Sequence, residues 1–280
     1  MRVGLIHNSP AREPELVACL GRHGHSVEGI ATRVDGVWAL PLEGLDLIAV
    51  AGGDGTVSAT LAALPPSRVP IAILPVGTAN NIATSLRVPG DLDAAVDQWR
   101  TAQVRGFDIG AATGAWGTRR FVESVGCGLV AEGIALAEPC GHTGAQPDAR
   151  LALARLSQSD HLDAIAAEHC RFTIDGVTHA ARLLLLEVLN IGMVGPNLAL
   201  AEASPFDATL TVVAAYAEHR PLLQAWIRGD TTLGRCPPLP LWQARRVELV
   251  RAGRVHVDDT LLDSDDVAVS VEAAAAVLVP

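Results

Sequence analysis

Val50-Ala51-Gly52-Gly53-Asp54-Gly55-Thr56 decides how this chain is read. It is an apolar strand that empties into a glycine-rich turn, carries one carboxylate and closes on a hydroxyl residue where a helix begins. Residues 45–51 are apolar enough for a buried strand, and Val57, Thr60, Leu61 and Leu64 recur at helical spacing over 56–64. The turn between them points backbone N–H groups outward. Three glycines within four residues permit positive φ and close approach of an oxyanion to the main chain, and the helix start adds the positive end of a dipole. Such a turn suits a polyphosphate.

A second turn of the same kind follows, because Ile71-Ala72-Ile73-Leu74-Pro75 is another apolar strand and empties into Val76-Gly77-Thr78-Ala79-Asn80-Asn81. In an open parallel sheet the ligand crevice lies beyond the carboxyl ends of neighbouring strands, so turns after two strands joined by one helix can converge on one ligand.

Working outward, strands at 2–6, 27–30, 45–51 and 71–74 alternate with helices at 13–23, 56–64 and 92–100, the pattern of an α/β domain. Beyond residue 103 strands dominate, at 104–109, 121–125, 170–174, 180–190, 210–214, 247–250, 255–257, 267–271 and 276–279. Two helices, 129–138 and 150–168, interrupt them with amphipathic spacing. The expected architecture is a Rossmann-like α/β domain over 1–103 and a mainly antiparallel β-sandwich with inserted helices over 104–280. The last strand is a candidate to return to the first domain. The stretch 138–148, rich in glycine, proline and acid, reads equally as a mobile loop or a plain connection.

Composition bounds the chemistry. With 280 residues and 49% apolar content the chain can fill two cores. A net charge of −10 argues against a nucleic-acid partner, and no apolar run approaches the roughly 18 residues of a membrane span. The opening residues form a strand rather than a basic leader, so a cytoplasmic protein is expected. Cys19, Cys127, Cys140, Cys170 and Cys236 show no metal-ligand spacing in sequence and read as reduced thiols. Among the nine histidines, His161, His169 and His256 read as surface or hydrogen-bonded residues rather than ligands.

Gly52 to Thr56, followed by Leu74-Pro75-Val76-Gly77-Thr78-Ala79-Asn80-Asn81-Ile82-Ala83, resembles the catalytic domain of the diacylglycerol kinase and sphingosine kinase family, most closely its bacterial lipid kinases. The first turn alone is shared with NAD kinases and is similar to one in phosphofructokinases. The second, with its proline and Gly-Thr-x-Asn core, is characteristic of the lipid kinases. The resemblance implies an ATP-dependent kinase of phospholipid metabolism that uses Mg²⁺ and phosphorylates a diacylglycerol-like or other long-chain lipid alcohol. It implies a lipid substrate at a membrane surface and transient membrane contact, and it leaves open whether the chain forms a homodimer.

The resemblance also nominates residues. Asn8, Thr32, Gly52, Gly53, Asp54, Gly55, Thr56, Gly77, Thr78 and Asn80 match nucleotide-contacting positions, and Asp54, the first turn's single carboxylate, takes the magnesium side. Asp54 also suits an Asx-turn, and Thr78 and Asn80 also suit helix caps. Phe107-Asp108-Ile109-Gly110 and Val188-Leu189-Asn190-Ile191-Gly192 are similar to later family strands.

Two late motifs depart from the family pattern. Where relatives carry Asp-Gly-Glu, with the glutamate as general base, this chain has Asp258-Asp259-Thr260. A threonine hydroxyl is no base at neutral pH, which leaves Asp258 and Asp259 as catalytic candidates. Where relatives carry an Asp-Gly motif binding a structural Mg²⁺, this chain has Asp207-Ala208, so Asp207 is a metal candidate with few partners. A catalytically impaired nucleotide- or lipid-binding module is therefore the alternative to a working kinase.

Overall fold

The computed structural model describes residues 1–33, 39–63, 69–137, 147–250 and 254–280. They divide into two units, Met1–Ile109 with Ala273–Pro280, and Gly110–Glu272. The loop read over 138–148 lies for the most part outside the described residues, as does Cys140.

The first unit opens with β1 (Arg2–His7), α1 (Glu13–Arg22), β2 (Ser26–Thr32), β3 (Leu47–Gly52), α2 (Asp54–Ala63), β4 (Ile71–Pro75), α3 (Asn81–Ser85) and α4 (Leu92–Asp97). The strands lie in the order β2, β1, β3, β4, all parallel. Every residue of β3 and β4 is buried, because helices cover both faces of the sheet and leave no solvent face to be polar. On one face Leu5, Leu47, Ala49 and Leu74 pack against Leu16 and Leu20 of α1 and Val96 of α4. The alternate residues Ile6, Ile48, Val50 and Ile73 fill the other face, where α2 packs on β3. The helix expected over 92–100 ends at Asp97 and continues as a tighter 3₁₀ turn, Gln98–Arg100. The short helix for which Thr78 and Asn80 were cap candidates is α3, with Asn80 at its N-cap position.

The second unit is mostly antiparallel. It holds the later part of β5 (Gln103–Gly114), then β6 (Gly117–Phe121), β7 (Ser124–Gly128), α5 (Leu129–Ala137), α6 (Pro147–Leu162), β8 (Glu168–Ile174) and β9 (Val177–Leu189). There follow β10 (Met193–Val194), β11 (Leu198–Ala199), β12 (Leu210–Tyr216), α7 (Arg220–Ile227), β13 (Leu241–Ala244), β14 (Arg246–Val250), β15 (Arg254–Val257), β16 (Thr260–Asp263) and β17 (Asp266–Val279). Strand β9 pairs with β7, β8 and β12. Leu183, Leu186 and Val188 enter one core with Val212 and Val247, while Leu184, Leu185 and Leu189 pack on the other side with Leu129, Leu162 and Leu223. Burial on both faces explains why 183–189 shows almost no polar alternation. No helix among the described residues is long and apolar enough to cross a membrane.

Three expectations are corrected. The strand read over 121–125 is two strands, β6 and β7, because the N–H groups of Val122, Glu123 and Ser124 leave the ladder to bind the Asp258 carboxylate. The strands read over 267–271 and 276–279 are one, β17, whose end belongs to the first unit and pairs in parallel with β4 at Val277 and Ile71. The helix read to residue 168 stops at Leu162, where Arg220 takes up the freed carbonyls of Leu162 and Ile165 and the chain turns into β8.

A buried ion pair crosses this sheet. Gly126 of β7 is in register with both His256 of β15 and Glu187 of β9. A Cβ at 126 would stand 2.3 Å from Glu187 Oε1, so the glycine leaves the gap through which the two side chains meet. His256 Nε2 lies 3.0 Å from Glu187 Oε2, and Nδ1 lies 2.9 Å from the carbonyl of Asp258. Both ring nitrogens face acceptors, which only an imidazolium can satisfy as a double donor. Burial works against that charge, but the Glu187 carboxylate and the Asp258 carbonyl outweigh it and raise the His256 pKa.

A folded-state pKa above the unfolded value, about 6.5, gives stability that is complete below that pH and fades as pH rises through the folded value. Denaturant titrations across pH should therefore show a decline on the alkaline side that Glu187→Gln largely removes. That variant should also cost about 3–5 kcal/mol at neutral pH, and an unaltered pH profile in it would exclude the pair as the cause.

Candidate active site

The parallel register aligns the carboxyl ends of the first unit's strands. Thr32 stands beside His7, His7 beside Ala51, and Gly52 beside Pro75. The chain leaves β1 toward β2 on one side while β3 and β4 lie on the other, so the β1/β3 boundary is the topological switch point where open α/β sheets bind ligands. Asn8 is exposed just past β1, and Thr32 is half-buried.

At this edge the two glycine turns touch. A Cβ at Gly77 would fall 2.2 Å from Gly53 Cα and 2.8 Å from Gly53 N, and one at Gly53 would fall 3.1 Å from Gly77 Cα. The Val76 N–H donates to the Gly52 carbonyl at 3.2 Å. None of Gly52, Gly53, Gly55 and Gly77 has positive φ, so of the two uses the sequence allowed, Gly52, Gly53 and Gly77 serve close approach.

Asp54 joins the turns. It begins α2, and its Oδ1 accepts the Ile82 N–H of α3 at 2.9 Å. Burial raises its pKa, while the N–H groups of Ile82, Asn81, Asn80 and Asp54 itself pull the other way. Asn80 sits at φ 53 with its side chain turned back on Gly77, accepting the Gly77 N–H and donating to the Gly77 carbonyl, both at 3.0 Å. The cap of α3 thus comes from Asp54 and not from the Asn80 side chain, and the Gly77 N–H is spent within its own turn.

Thr56 donates its N–H to the Gly53 carbonyl at 3.0 Å. Its Oγ1 is buried beneath Gly52 and has no hydrogen-bond partner among the described residues, and a Cβ at 52 would lie 2.7 Å from it. Thr78 is half-buried.

One residue here was passed over in the sequence. His7, the last residue of β1, is buried, with Nε2 3.0 Å from Glu13 Oε2 and Nδ1 without a partner among the described residues. A histidine ending an otherwise apolar strand beside Asn8 was the available signal.

In the second unit Asp258 turns between β15 and β16 at φ 50. Its carboxylate accepts the Glu123 N–H at 2.8 Å, the Val122 N–H at 3.1 Å and the Ser124 N–H at 3.3 Å. Asn190 holds the same segment from elsewhere, its Nδ2 donating to the Val122 carbonyl at 2.8 Å. Asp259 is exposed at the turn, and Thr260 donates its hydroxyl to Asp259 Oδ1 at 3.3 Å.

Asp207 closes a local Asx-turn, its Oδ1 accepting the Thr209 N–H at 3.0 Å and the Thr209 hydroxyl at 2.7 Å. Ala208 sits there at φ 57. Among the described residues, neither Asp54 nor Asp207 is part of a cluster of three converging ligand side chains, so neither supplies a protein-built cage for Mg²⁺. A pocket of about 300 Å³ also lies in this unit, walled by Cys127, Cys170, Leu183 and Leu185 together with Glu132 and His161.

Residues 23–112 match the model of the diacylglycerol kinase catalytic domain, so that domain accounts for the segment carrying both glycine turns. Curated relatives agree. The chain is 37% identical over 144 residues, 43% of its length and 47% of the relative's, to a Klebsiella pneumoniae (strain 342) protein named "Probable lipid kinase YegS-like". It is 35% identical over 117 residues, 41% of its length and 34% of the relative's, to diacylglycerol kinase of Bacillus subtilis (strain 168). These matches span half or less of the relatives' length.

In structure, a diacylglycerol kinase from Bacillus anthracis str. Sterne superposes with TM-score 0.70 and 17% identity over 100% of this chain and 97% of that one. An NAD kinase from Archaeoglobus fulgidus in complex with ATP gives 0.51 and 12% over 99% and 93%. At those identities the likeness establishes the fold, an α/β unit followed by a β-rich one, as the sequence led us to expect.

The glycine contact makes a sharp prediction for folding. Gly77→Ala should destabilise the protein in chemical denaturation by about 1–3 kcal/mol, the range of an overpacked core. Gly90→Ala, with open space around its added methyl, should stay within about 0.5 kcal/mol. Equal effects at the two positions would mean that the turns do not depend on their contact.

Proposed function

We propose that the chain is an ATP-dependent lipid kinase that transfers the γ-phosphoryl group to the hydroxyl of a diacylglycerol-like or other long-chain lipid alcohol at a membrane surface. The observation that carries this reading is the contact of Gly53 with Gly77, which sets two phosphate-type turns at one crevice of a switch-point sheet.

The residues present fit a polyphosphate. No Cβ stands between an oxyanion and the main chain at Gly53, and the buried Thr56 hydroxyl lacks a partner that a phosphate oxygen could supply. Asn8 and Thr32, at the same edge, are placed for the nucleoside end of the ligand. In this reading Asp54 acts by tying the first turn to the start of α3 and Asn80 by closing the second turn on Gly77, and neither touches the reacting atoms.

Mg²⁺ bound with ATP neutralises charge on the phosphates in such transfers. Asp54 spends its oxygens on main-chain donors and Asp207 on Thr209, so no step is assigned to a resident ion. The exposed Asp259 is our candidate for accepting the lipid hydroxyl's proton, since Thr260 cannot and Asp258 is held by three N–H groups. The 300 Å³ pocket walled by Cys127, Cys170, Leu183 and Leu185 lies at the lower end of ligand-site volumes and is the candidate seat for apolar parts of the lipid.

The committed state of Asp258 and the missing glutamate also favour a second reading, a nucleotide- or lipid-binding module with impaired turnover.

Purified protein incubated with Mg²⁺, labelled ATP and a lipid extract should yield labelled lipid, and Asp54→Ala should abolish the label by releasing the second turn. Asp259→Asn should lower turnover by about 10²–10⁴-fold with little change in ATP affinity. If the wild type is silent while Thr260→Glu is active, the module reading holds. If neither transfers phosphate and neither binds ATP in calorimetry, the kinase reading fails and the nucleotide site with it.

A further inference from the structure

Cys19 lies in the last turn of α1 and His23 is the residue that caps it, four positions on, while Asp93 and Asp97 lie one turn apart on α4. Residues four apart project from the same helix face, and here the two faces meet. Helix α1 runs back from the carboxyl edge of the sheet, so this cluster stands at the other edge from the glycine turns. The donor atoms of Cys19, His23 and Asp93 all fall within 4.8 Å of one another. Asp93 Oδ1 is 2.9 Å from His23 Nε2 and 3.5 Å from Cys19 Sγ. On the far side of the ring, His23 Nδ1 is 3.1 Å from Asp97 Oδ1. Cys19 is buried and the His23 side chain is only 12% exposed.

We propose that Cys19, His23 and Asp93 form a zinc site, with Asp97 orienting the imidazole. Thiolate, imidazole and carboxylate are the donors zinc accepts. The outer carboxylate is the usual partner of a zinc-bound histidine, because it fixes the tautomer that turns a lone pair toward the metal. Bond lengths of about 2.3 Å to sulfur and 2.0–2.2 Å to nitrogen and oxygen require a sulfur–oxygen separation of about 3.6 Å and a nitrogen–oxygen separation of about 3.4 Å in a tetrahedron. The first is already in place, and the second opens by about half an ångström as the His23–Asp93 hydrogen bond gives way to the metal.

Arg22 now holds both oxygens of Asp93 at 2.9 and 3.0 Å from a largely exposed side chain. It keeps Oδ2 when the ion takes Oδ1. Binding expels the Cys19 thiol proton to solvent, and the thiolate takes the metal. Water completes the fourth position. The consequence is a cross-link between α1 and α4 that does not involve the phosphate turns.

The test uses the full chain, stripped with chelator, and reads metal rather than phosphate transfer. Zinc added and dialysed should remain at one equivalent per chain by elemental analysis. Cobalt(II) in its place should give visible bands of tetrahedral intensity together with a near-ultraviolet sulfur-to-cobalt charge-transfer band. Cys19→Ser should lose the charge-transfer band, and Asp97→Asn should keep it while binding zinc about 10–100-fold more weakly. Wild-type protein that retains only background zinc and gives cobalt the spectrum of the hydrated ion would overturn the proposal without reference to any variant. A Cys19→Ser spectrum identical to wild type would overturn it as well.

Discussion

The first unit is organised around two stretches of main chain that touch with no side chain between them. Strands β3 and β4 are parallel neighbours with Gly52 beside Pro75, so their outgoing turns leave the same edge at the distance of adjacent strands. At that spacing a methyl group on residue 77 would overlap Gly53. Everything else at the edge adjusts to this approach: Asn80 folds back to close the second turn on Gly77, and Asp54 reaches from the first turn to the start of α3. Two short loops that would each be mobile alone become one surface, which is what a polyphosphate site requires of its donors before the ligand arrives.

The second unit uses the same device. Asp258 grips three consecutive N–H groups of the segment between β6 and β7, much as Asp54 grips the start of α3. In both units the carboxylate that looks most reactive in the sequence is tied to the backbone. A carboxylate whose oxygens are taken up by main-chain N–H groups has few lone pairs left to offer a substrate. The proposed kinase reading therefore turns to what these anchors leave over: the Thr56 hydroxyl, without a partner among the described residues, the open main chain at Gly53 and the exposed Asp259.

How far the sequence disclosed this follows from the range of the interactions. The alternation of the first unit was legible because β1, β3 and β4 are buried on both faces and the helices between them on one, so local periodicity and burial agree. The glycine turns were legible as phosphate-type, but the reason for their glycines was not, since close approach depends on a neighbour and positive φ does not. The break between β6 and β7 is imposed by a residue more than a hundred positions later, and no local window contains it. His256 and Glu187 looked like ordinary strand residues because their pairing needs the absence of a side chain at Gly126 on the strand between them. The Cys19, His23 and Asp93 cluster escaped for a similar reason: half of each helix's pattern is unremarkable until the two helices are packed.

The late motifs can be judged by the same distinction between holding and reacting. Where this chain agrees with the lipid kinase pattern in the second unit, at Asp207, Asn190 and Asp258, the matching side chains fasten main chain. Where it departs, at Ala208 and Thr260, the missing groups are those that would allow a free backbone or supply a base. Ala208 adopts a left-handed φ of 57 at a cost of roughly 1 kcal/mol over glycine, so the turn keeps a shape that glycine would take without strain. A fold can keep its anchors under such drift because each loosened anchor exposes several unpaired N–H groups, whereas a lost base costs the fold nothing. The second unit is thus firmly anchored at these turns, and the proposed kinase reading leaves the proton-accepting role to the exposed acid beside Thr260.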